Sequence, residues 1–302
     1  MKIYVIGGGA IGLLVSAYLR KNNNEVTLCT RTEAQADLLK RKGLTLIRGD
    51  FSETIQIDSI QLNQAKVEEA DVCVFAVKSY DLEPMMQEIV RKKKNDQSYL
   101  FLQNGMAHVE IASRLNDPTI AFATISHGAV RINQTTVQHT GVGELNWAMF
   151  QARSNTLTHW LHTIQSSEFP IFEKETWEEL LWMKLVVNAC INPITALIGK
   201  KNGELLESHE LNHLMRSVFD EAISLHPLEP DMEKVWTHVL SVCKQTAENT
   251  SSMFIDIKQE RQTEVDAILG YLLRRAQIVG RSLPTISFLY QALMNREQSY
   301  RQ

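Results

Sequence analysis

The chain has 302 residues, 44% hydrophobic and 22% charged, with a net charge of -4. That length fits one large or two ordinary domains of globular composition. The weak negative charge and a pI near 6.2 exclude an electrostatic case for nucleic acid or an anionic membrane surface.

The opening MKIYVIGGGAIGLLVSAYL has the Lys2 and the apolar run of a signal peptide. Four glycines break it and no small-residue cleavage site follows. No other apolar run approaches the roughly 20 residues of a membrane span. Cys29, Cys73, Cys190 and Cys243 lie far apart in apolar stretches, without metal spacing. They read as buried thiols in a reducing compartment, with no metal site. The expected location is the cytoplasm, where the sequons at Asn133 and Asn249 carry no meaning.

In chain order, KIYVIG reads as a strand and Ala10 to Asn22 as a helix. EVTLCT is a second strand, and EAQADLLKRKG a helix ended by Gly43. DVCVFAV is a buried strand of the parallel type, followed by a helix over 79–92. The basic run RKKK at 91–94, with Asn95 and Asp96 after it, reads as that helix's solvated end, where cations suit the dipole. SYLFLQ is a strand, then a helix lies near 107–115, then the strand TIAFATIS. Such alternation predicts a parallel sheet with right-handed crossovers. Between 127 and 150 the glycine-punctuated alternation predicts antiparallel hairpins. After Pro170 the strand signals stop, and helices are predicted over 176–191, 208–226, 231–246, 258–280 and 284–300. The fold class is therefore an α/β domain over 1–172 followed by an all-helical domain over 173–302.

VIGGGAIGLL places Gly7, Gly9 and Gly12 in a G-x-G-x-x-G pattern. Alone the pattern is weak, but here it follows the first strand and opens the first helix, as a dinucleotide site requires. The glycines allow a tight turn and let the helix N-terminus approach a pyrophosphate. Where an NAD site commonly offers an acid, the second strand ends in Thr30, Arg31 and Thr32. A guanidinium and hydroxyls suit a 2′-phosphate, so NADP(H) is favoured over NAD. The bland alternative leaves Arg31 facing solvent. Lys78 and Asn104 stand just beyond strand ends, where the ligand crevice of an open parallel sheet lies. On that placement alone a surface lysine and an ordinary Asn-Gly turn serve equally well.

EELLWMKLVVNACINPITAL reads as an apolar helix, yet Lys184, Asn188 and Asn192 fall on one face at steps of four. One reading has Lys184 snorkel outward while the asparagines cap a helix that kinks or ends near Pro193. The other has a partly desolvated lysine with lowered pKa act as general acid beside neutral substrate-orienting amides. Further on, Asn249, Thr250, Ser251 and Ser252 interrupt two helical patterns and read as an N-cap cluster. Glu264 reads as a surface carboxylate ahead of an apolar stripe.

Taken in order, GGGAIG, VKSYD, QNGM, ELLWMKLVVNACINPITAL, NGEL, TAENTSSMFIDI and TEVDAILGYLLRRA resemble the ketopantoate reductase (2-dehydropantoate 2-reductase) family over nearly the whole chain. The resemblance implies a Rossmann-type domain followed by a helical domain like the C-terminal one of 6-phosphogluconate dehydrogenase. It implies NADPH-dependent reduction of 2-dehydropantoate to pantoate in the route to coenzyme A. Carried over by position, Lys184 matches the general acid, and Asn188, Asn192 and Asn202 match substrate-binding asparagines. Asn104 matches an asparagine touching cofactor and substrate. Ser252 matches the substrate-carboxylate serine, with Asn249 beside it. Glu264 matches the acid associated with cofactor and substrate hydroxyl. The loop Gly7, Gly8, Gly9, Ala10, Ile11, Gly12 matches the phosphate loop, Arg31 the 2′-phosphate reader, Lys78 a cofactor-side lysine, and Ala129 a nicotinamide-lining position. TISHGAV departs from a threonine-richer run, which puts the nicotinamide wall in doubt. The alternatives are a reductase of another branched 2-oxo acid and a non-catalytic NADP(H)-binding sensor. Helical domains of this kind often dimerise, so a homodimer is allowed, while the apolar stripes do not separate core from interface.

Overall fold

A computed structural model describes residues 1–92, 97–116, 118–228 and 230–300, without the side chains of Glu88 and Lys92. Lys93 and Lys94 of the basic run, with Asn95 and Asp96, lie outside the described residues. The chain divides into two compact units, residues 1–103 with 108–180, and residues 104–107 with 181–302.

The first unit begins β1 (Lys2–Ile6), α1 (Ala10–Lys21), β2 (Glu25–Thr30), α2 (Glu33–Lys42), β3 (Leu44–Arg48), β4 (Phe51–Ile55) and β5 (Asp58–Gln61). It continues with β6 (Val72–Phe75), α3 (Ser79–Lys92), β7 (Ser98–Phe101), α4 (Ala107–Ser113) and β8 (Thr119–Ile125). It closes with β9 (Gly128–Arg131), β10 (Thr136–Gly141), β11 (Leu145–Gln151), α5 (Thr156–Thr163) and β12 (Ile171–Glu173). One sheet runs β12-β11-β8-β7-β6-β1-β2-β5, and a second runs β4-β3-β10-β9. From β8 through β1 to β5 all neighbours are parallel, while β11 pairs antiparallel with β8.

The central strands explain themselves. Every residue of β6 and β7 is buried, as continuous apolar strands covered on both faces must be. Helix α1 packs against β1 and β2 on one side and against β3, β4, β9 and β10 on the other. That double cover is why Leu13, Leu14, Val15, Ala17, Tyr18 and Leu19 are all buried on a helix of twelve residues. Helix α2 ends where predicted: Gly43, at φ +75, donates its N–H to the Leu39 carbonyl. Of the hairpins predicted over 127–150, β9 with β10 is one, while β11 pairs antiparallel with the earlier β8, each pair with a register shift. The expectation that strands stop at Pro170 is corrected by β12, which pairs in parallel with β11.

The second unit is helical: α6 (Trp177–Ile198, entering this unit at Leu181), α7 (Glu204–Glu207), α8 (His209–Ile223), α9 (Met232–Gln245), α10 (Ser252–Lys258), a π-helical turn Asp266–Gly270, α11 (Tyr271–Ile278) and α12 (Pro284–Ser299). Ser208, Asp231 and Ser251 cap α8, α9 and α10 by accepting from the amides three residues on. Two predicted helices are corrected. The helix expected over 176–191 continues through Pro193 to Ile198, and it ends at Gly199, whose φ is +71. Proline removes one ladder bond, but Ile191, Pro193, Ile194 and Ala196 are all buried, so packing carries the helix across it. The helix expected over 258–280 starts only after a break at 259–264, where the π-helical turn runs into α11, and Lys258 instead ends α10. Glu260 sits at φ +53 and the Arg261 amide donates to the Asp256 carbonyl, closing α10 without a glycine.

At 22 residues α6 is long and apolar enough to cross a membrane by length and composition, contrary to expectation. Yet 72% of its apolar window is buried inside the protein, as a core helix would be.

Candidate functional site

The predicted residues divide between the two units. In the first, the glycine pattern does three different jobs. Gly7 holds φ +120 and its N–H donates to the Cys29 carbonyl, making the tight turn off β1. A Cβ on Gly12 would lie 1.7 Å from the Gly7 carbonyl oxygen, so only glycine lets α1 start this close to the strand. A Cβ on Gly9 would meet nothing within 4 Å, leaving that backbone open to a ligand. Gly9 is also the N-cap of α1, with no side-chain cap and no acid in the first turn. The loop from Gly7 through Gly8, Gly9, Ala10 and Ile11 to Gly12 therefore offers uncapped amides and a positive helix end to an anion. These residues fit a dinucleotide pyrophosphate.

Arg31 follows β2 and is 83% exposed at its side chain, with an Asp81 oxygen 3.3 Å from Nη2. So exposed a pair is weak and leaves the guanidinium able to turn to a phosphate. The Thr30 hydroxyl is buried and donates to the Thr32 carbonyl, while Thr32 caps α2. The Thr30 hydroxyl is thus not offered to a phosphate, whereas Thr32 only accepts in its cap and keeps its hydroxyl proton for one beside Arg31. Lys78 lies between β6 and α3, and its carbonyl accepts from the Asp81 amide, so Asp81 links the surroundings of Lys78 and Arg31. Ala129 sits on β9 opposite His139, half-buried against the core.

In the second unit, Lys184, Asn188 and Asn192 share one face of α6. Asn188 is buried at 7% exposure and Lys184 is half-buried. Burial lowers the Lys184 pKa from 10.5, because an ammonium loses hydration there. Asn188 Nδ2 donates to Asn104 Oδ1 at 3.5 Å, and Asn104 Nδ2 donates to Glu264 Oε2 at 2.9 Å. The carboxylate can only accept, so this chain fixes both amide orientations. Glu264 is 5% exposed; the surface-carboxylate reading is wrong. Its position comes from Thr263 just before it, whose amide and hydroxyl both donate to the buried Glu297 carboxylate. Asn104 is held from its other side by Gly105. At φ +77, a Cβ on Gly105 would lie 2.2 Å from the Ala267 carbonyl oxygen in the π-helical turn.

A second group lies around the end of α6. Asn202 is 8% exposed; its Nδ2 donates to Thr246 Oγ1 and its amide to the Asn249 carbonyl. Asn202 Oδ1 is buried without a protein partner, a free acceptor of the kind a ligand hydroxyl satisfies. Asn249 and Ser252 are exposed side chains flanking Ser251. Ser251 is the buried cap of α10, and the Thr195 hydroxyl of α6 donates to it at 2.8 Å. The N-cap reading holds for Ser251, which leaves Ser252 free of a capping duty.

Sequence reasoning passes over His238 on α9. Burial and then the Lys184 charge lower its pKa, so a neutral imidazole stands within electrostatic reach of the ammonium. A lone histidine on a helix gives no spacing signal that would have found it.

A family model described as Ketopantoate reductase PanE/ApbA matches residues 3–152, and its C-terminal counterpart matches 176–297. The 2-dehydropantoate 2-reductase of Bacillus subtilis (strain 168) is 39% identical over 302 residues, covering 99% of this chain and 98% of that one. A crystal structure of the probable 2-dehydropantoate 2-reductase from Bacillus subtilis aligns with TM-score 0.87 and 36% identity, over 98% of this chain and 100% of that one. A D-mandelate dehydrogenase in complex with NADH and anilino(oxo)acetate aligns with TM-score 0.91 over 100% of both chains, at 21% identity. At that identity the likeness is one of fold.

Proposed function

The chain belongs to the ketopantoate reductase family, and from that premise we propose that it reduces 2-dehydropantoate to pantoate with NADPH. The observation that carries this reading is the chain Asn188–Asn104–Glu264 beside a lysine whose pKa burial lowers. Three neutral or paired polar groups and one ammonium on a buried face suit a substrate that gains negative charge on one oxygen.

Bound at the glycine loop, NADPH supplies the hydride for C2 of the 2-oxo acid. Lys184 donates a proton from Nζ to the carbonyl oxygen, which becomes the 2-hydroxyl, and the neutral amine regains its proton from solvent. Its lowered pKa makes the ammonium a stronger acid nearer to neutral pH. Asn188, held by Asn104, and Asn192 orient the substrate oxygens without adding charge, which supplies the positioning contribution. Glu264 fixes Asn104 and accepts from the substrate hydroxyl. Ser252 and Asn249 take the carboxylate end, and Asn202 Oδ1 accepts from a substrate hydroxyl. In the other unit, Arg31 reads the 2′-phosphate, Lys78 adds a cation, and Ala129 gives the nicotinamide an apolar wall.

The test is product formation from ketopantoate, 2-oxoisovalerate and phenylglyoxylate, each with NADPH and with NADH. Pantoate formed fastest with NADPH supports the reading. A larger kcat/KM with either other acid moves the substrate class, and NADPH binding without turnover on any of them rejects the enzyme.

A further inference from the structure

The middle glycine of GGG is the unexplained one. The atoms nearest a Cβ at Gly8 would be those of the Gln35 side chain, with Oε1 at 2.6 Å and Nε2 at 2.7 Å. Gln35, on α2, is 6% exposed, and its Nε2 donates to two carbonyls, Gly8 at 2.9 Å and Gln134 at 2.9 Å. From the end of β9, Arg131 Nη1 donates to the same Gly8 carbonyl at 3.2 Å. Two donors from different elements thus grip one carbonyl in the middle of the phosphate loop.

We propose that Gln35 and Arg131 are positioning residues that preset the glycine loop for a dinucleotide. A trans peptide points its N–H opposite to its C=O. Pinning the Gly8 carbonyl toward Gln35 and Arg131 therefore aims the Gly9 N–H away from them, and a Cβ on Gly9 itself would meet nothing within 4 Å. Between two glycines that peptide has wide conformational freedom. Released, it turns its carbonyl outward, and a carbonyl oxygen repels a phosphate where an amide would bind it. Gln35 takes a second carbonyl from Gln134 in the β9–β10 turn, so the clamp also ties the loop to the second sheet. Arg131 places a cation beside the loop in addition to its hydrogen bond.

The inference rests on the reading of this loop as a dinucleotide site, and its test separates the two. The dissociation constants of NADPH and NADH are measured by fluorescence for wild type, Gln35→Leu, Arg131→Ala and Gly8→Ala, together with kcat at saturating cofactor. The clamp predicts that Gln35→Leu weakens both cofactors by the same factor, about tenfold, as loss of a buried hydrogen-bond donor does. Gly8→Ala, which evicts the Gln35 amide, matches it, and the double variant is no worse than either single one. Arg131→Ala, an exposed change that leaves folding intact, weakens both cofactors about threefold. Saturated kcat of Gln35→Leu and Arg131→Ala stays within about twofold, a split that a general loss of structure does not produce. Wild type that binds neither nucleotide overturns the dinucleotide reading. Wild type that binds, with Gln35→Leu and Arg131→Ala binding equally well, overturns the clamp.

Discussion

Gly105→Ala is the smallest change that should damage the helical unit's polar chain. Gly105 holds φ +77, which costs an alanine about 1–2 kcal/mol. Its new Cβ would stand 2.2 Å from the Ala267 carbonyl oxygen and 2.7 Å from the carbon, so the loop must retreat by roughly 1 Å to reach ordinary contact. Overpacking of that kind costs about 1–3 kcal/mol more. The sum is a loss of about 2–5 kcal/mol. The neighbouring Asn104 moves with it, and its 3.5 Å bond from Asn188 and 2.9 Å bond to Glu264 do not survive such a shift. Misplacing a substrate-orienting group by about 1 Å lowers turnover on the order of a hundredfold. Denaturant unfolding and kcat/KM with ketopantoate read the two losses. A Gly105→Ala protein with wild-type stability and turnover would refute the claim that this contact positions Asn104.

Three further outcomes follow from the same geometry. Arg31→Ala should raise KM for NADPH about ten- to a hundredfold and leave NADH unchanged, since Arg31 brings the cation at the end of β2 that pairs with a 2′-phosphate; equal losses for both cofactors would remove that role. Thr263→Val deletes the hydroxyl donor to Glu297 and should lower kcat about tenfold with little change in cofactor affinity; unchanged kcat would cut Glu297 out of the positioning of Glu264. Acid should destabilise the first unit: burial lowers His108 to about 3, and burial with the His139 charge lowers His127 to about 4, against 6.5 unfolded. The unfolded chain then takes up protons that the folded one refuses, so the stability present above pH 6.5 drops as pH falls towards 4, by about 3 kcal/mol for His127 alone. Both His108 ring nitrogens are buried without partners, so His108→Leu should add about 1–2 kcal/mol at pH 7 and flatten the acid limb; an unchanged limb in denaturant melts would contradict this.

The parallel strands, the glycine turn and the face of α6 were legible because each has a local cause. Buried parallel strands must be apolar throughout, a 1.7 Å clearance at Gly12 admits no side chain, and polar residues four apart on an apolar helix have few reasons to be there. The end of α6 was read near Pro193 and lies at Gly199, since a left-handed glycine closes a helix while packing can carry one past a proline. The end of α10 was not: Glu260 takes the left-handed position, and what stabilises it is Arg261 Nη2 on Asp256 at 2.8 Å, a contact no propensity reports. The hairpin β3–β4 turns at Gly49, at φ +55, and its residues declare their place only by pairing with β10, some 90 positions on. The burial of Glu264 was hidden for the same reason, since Thr263, Glu297 and Asn104 come from three separate stretches.

The account stands on Lys184 as proton donor, and Lys184→Met tests it most directly by keeping the packed stem and removing the charge. Because burial lowers the pKa of Lys184 below 10.5, the wild-type rate should fall as pH rises through that pKa and the acid is lost. The variant should lose that limb, drop in kcat by about a hundredfold or more, bind NADPH as wild type does, and unfold at slightly higher denaturant, because a buried ammonium costs stability. Wild-type kcat with the alkaline limb intact would contradict the assignment.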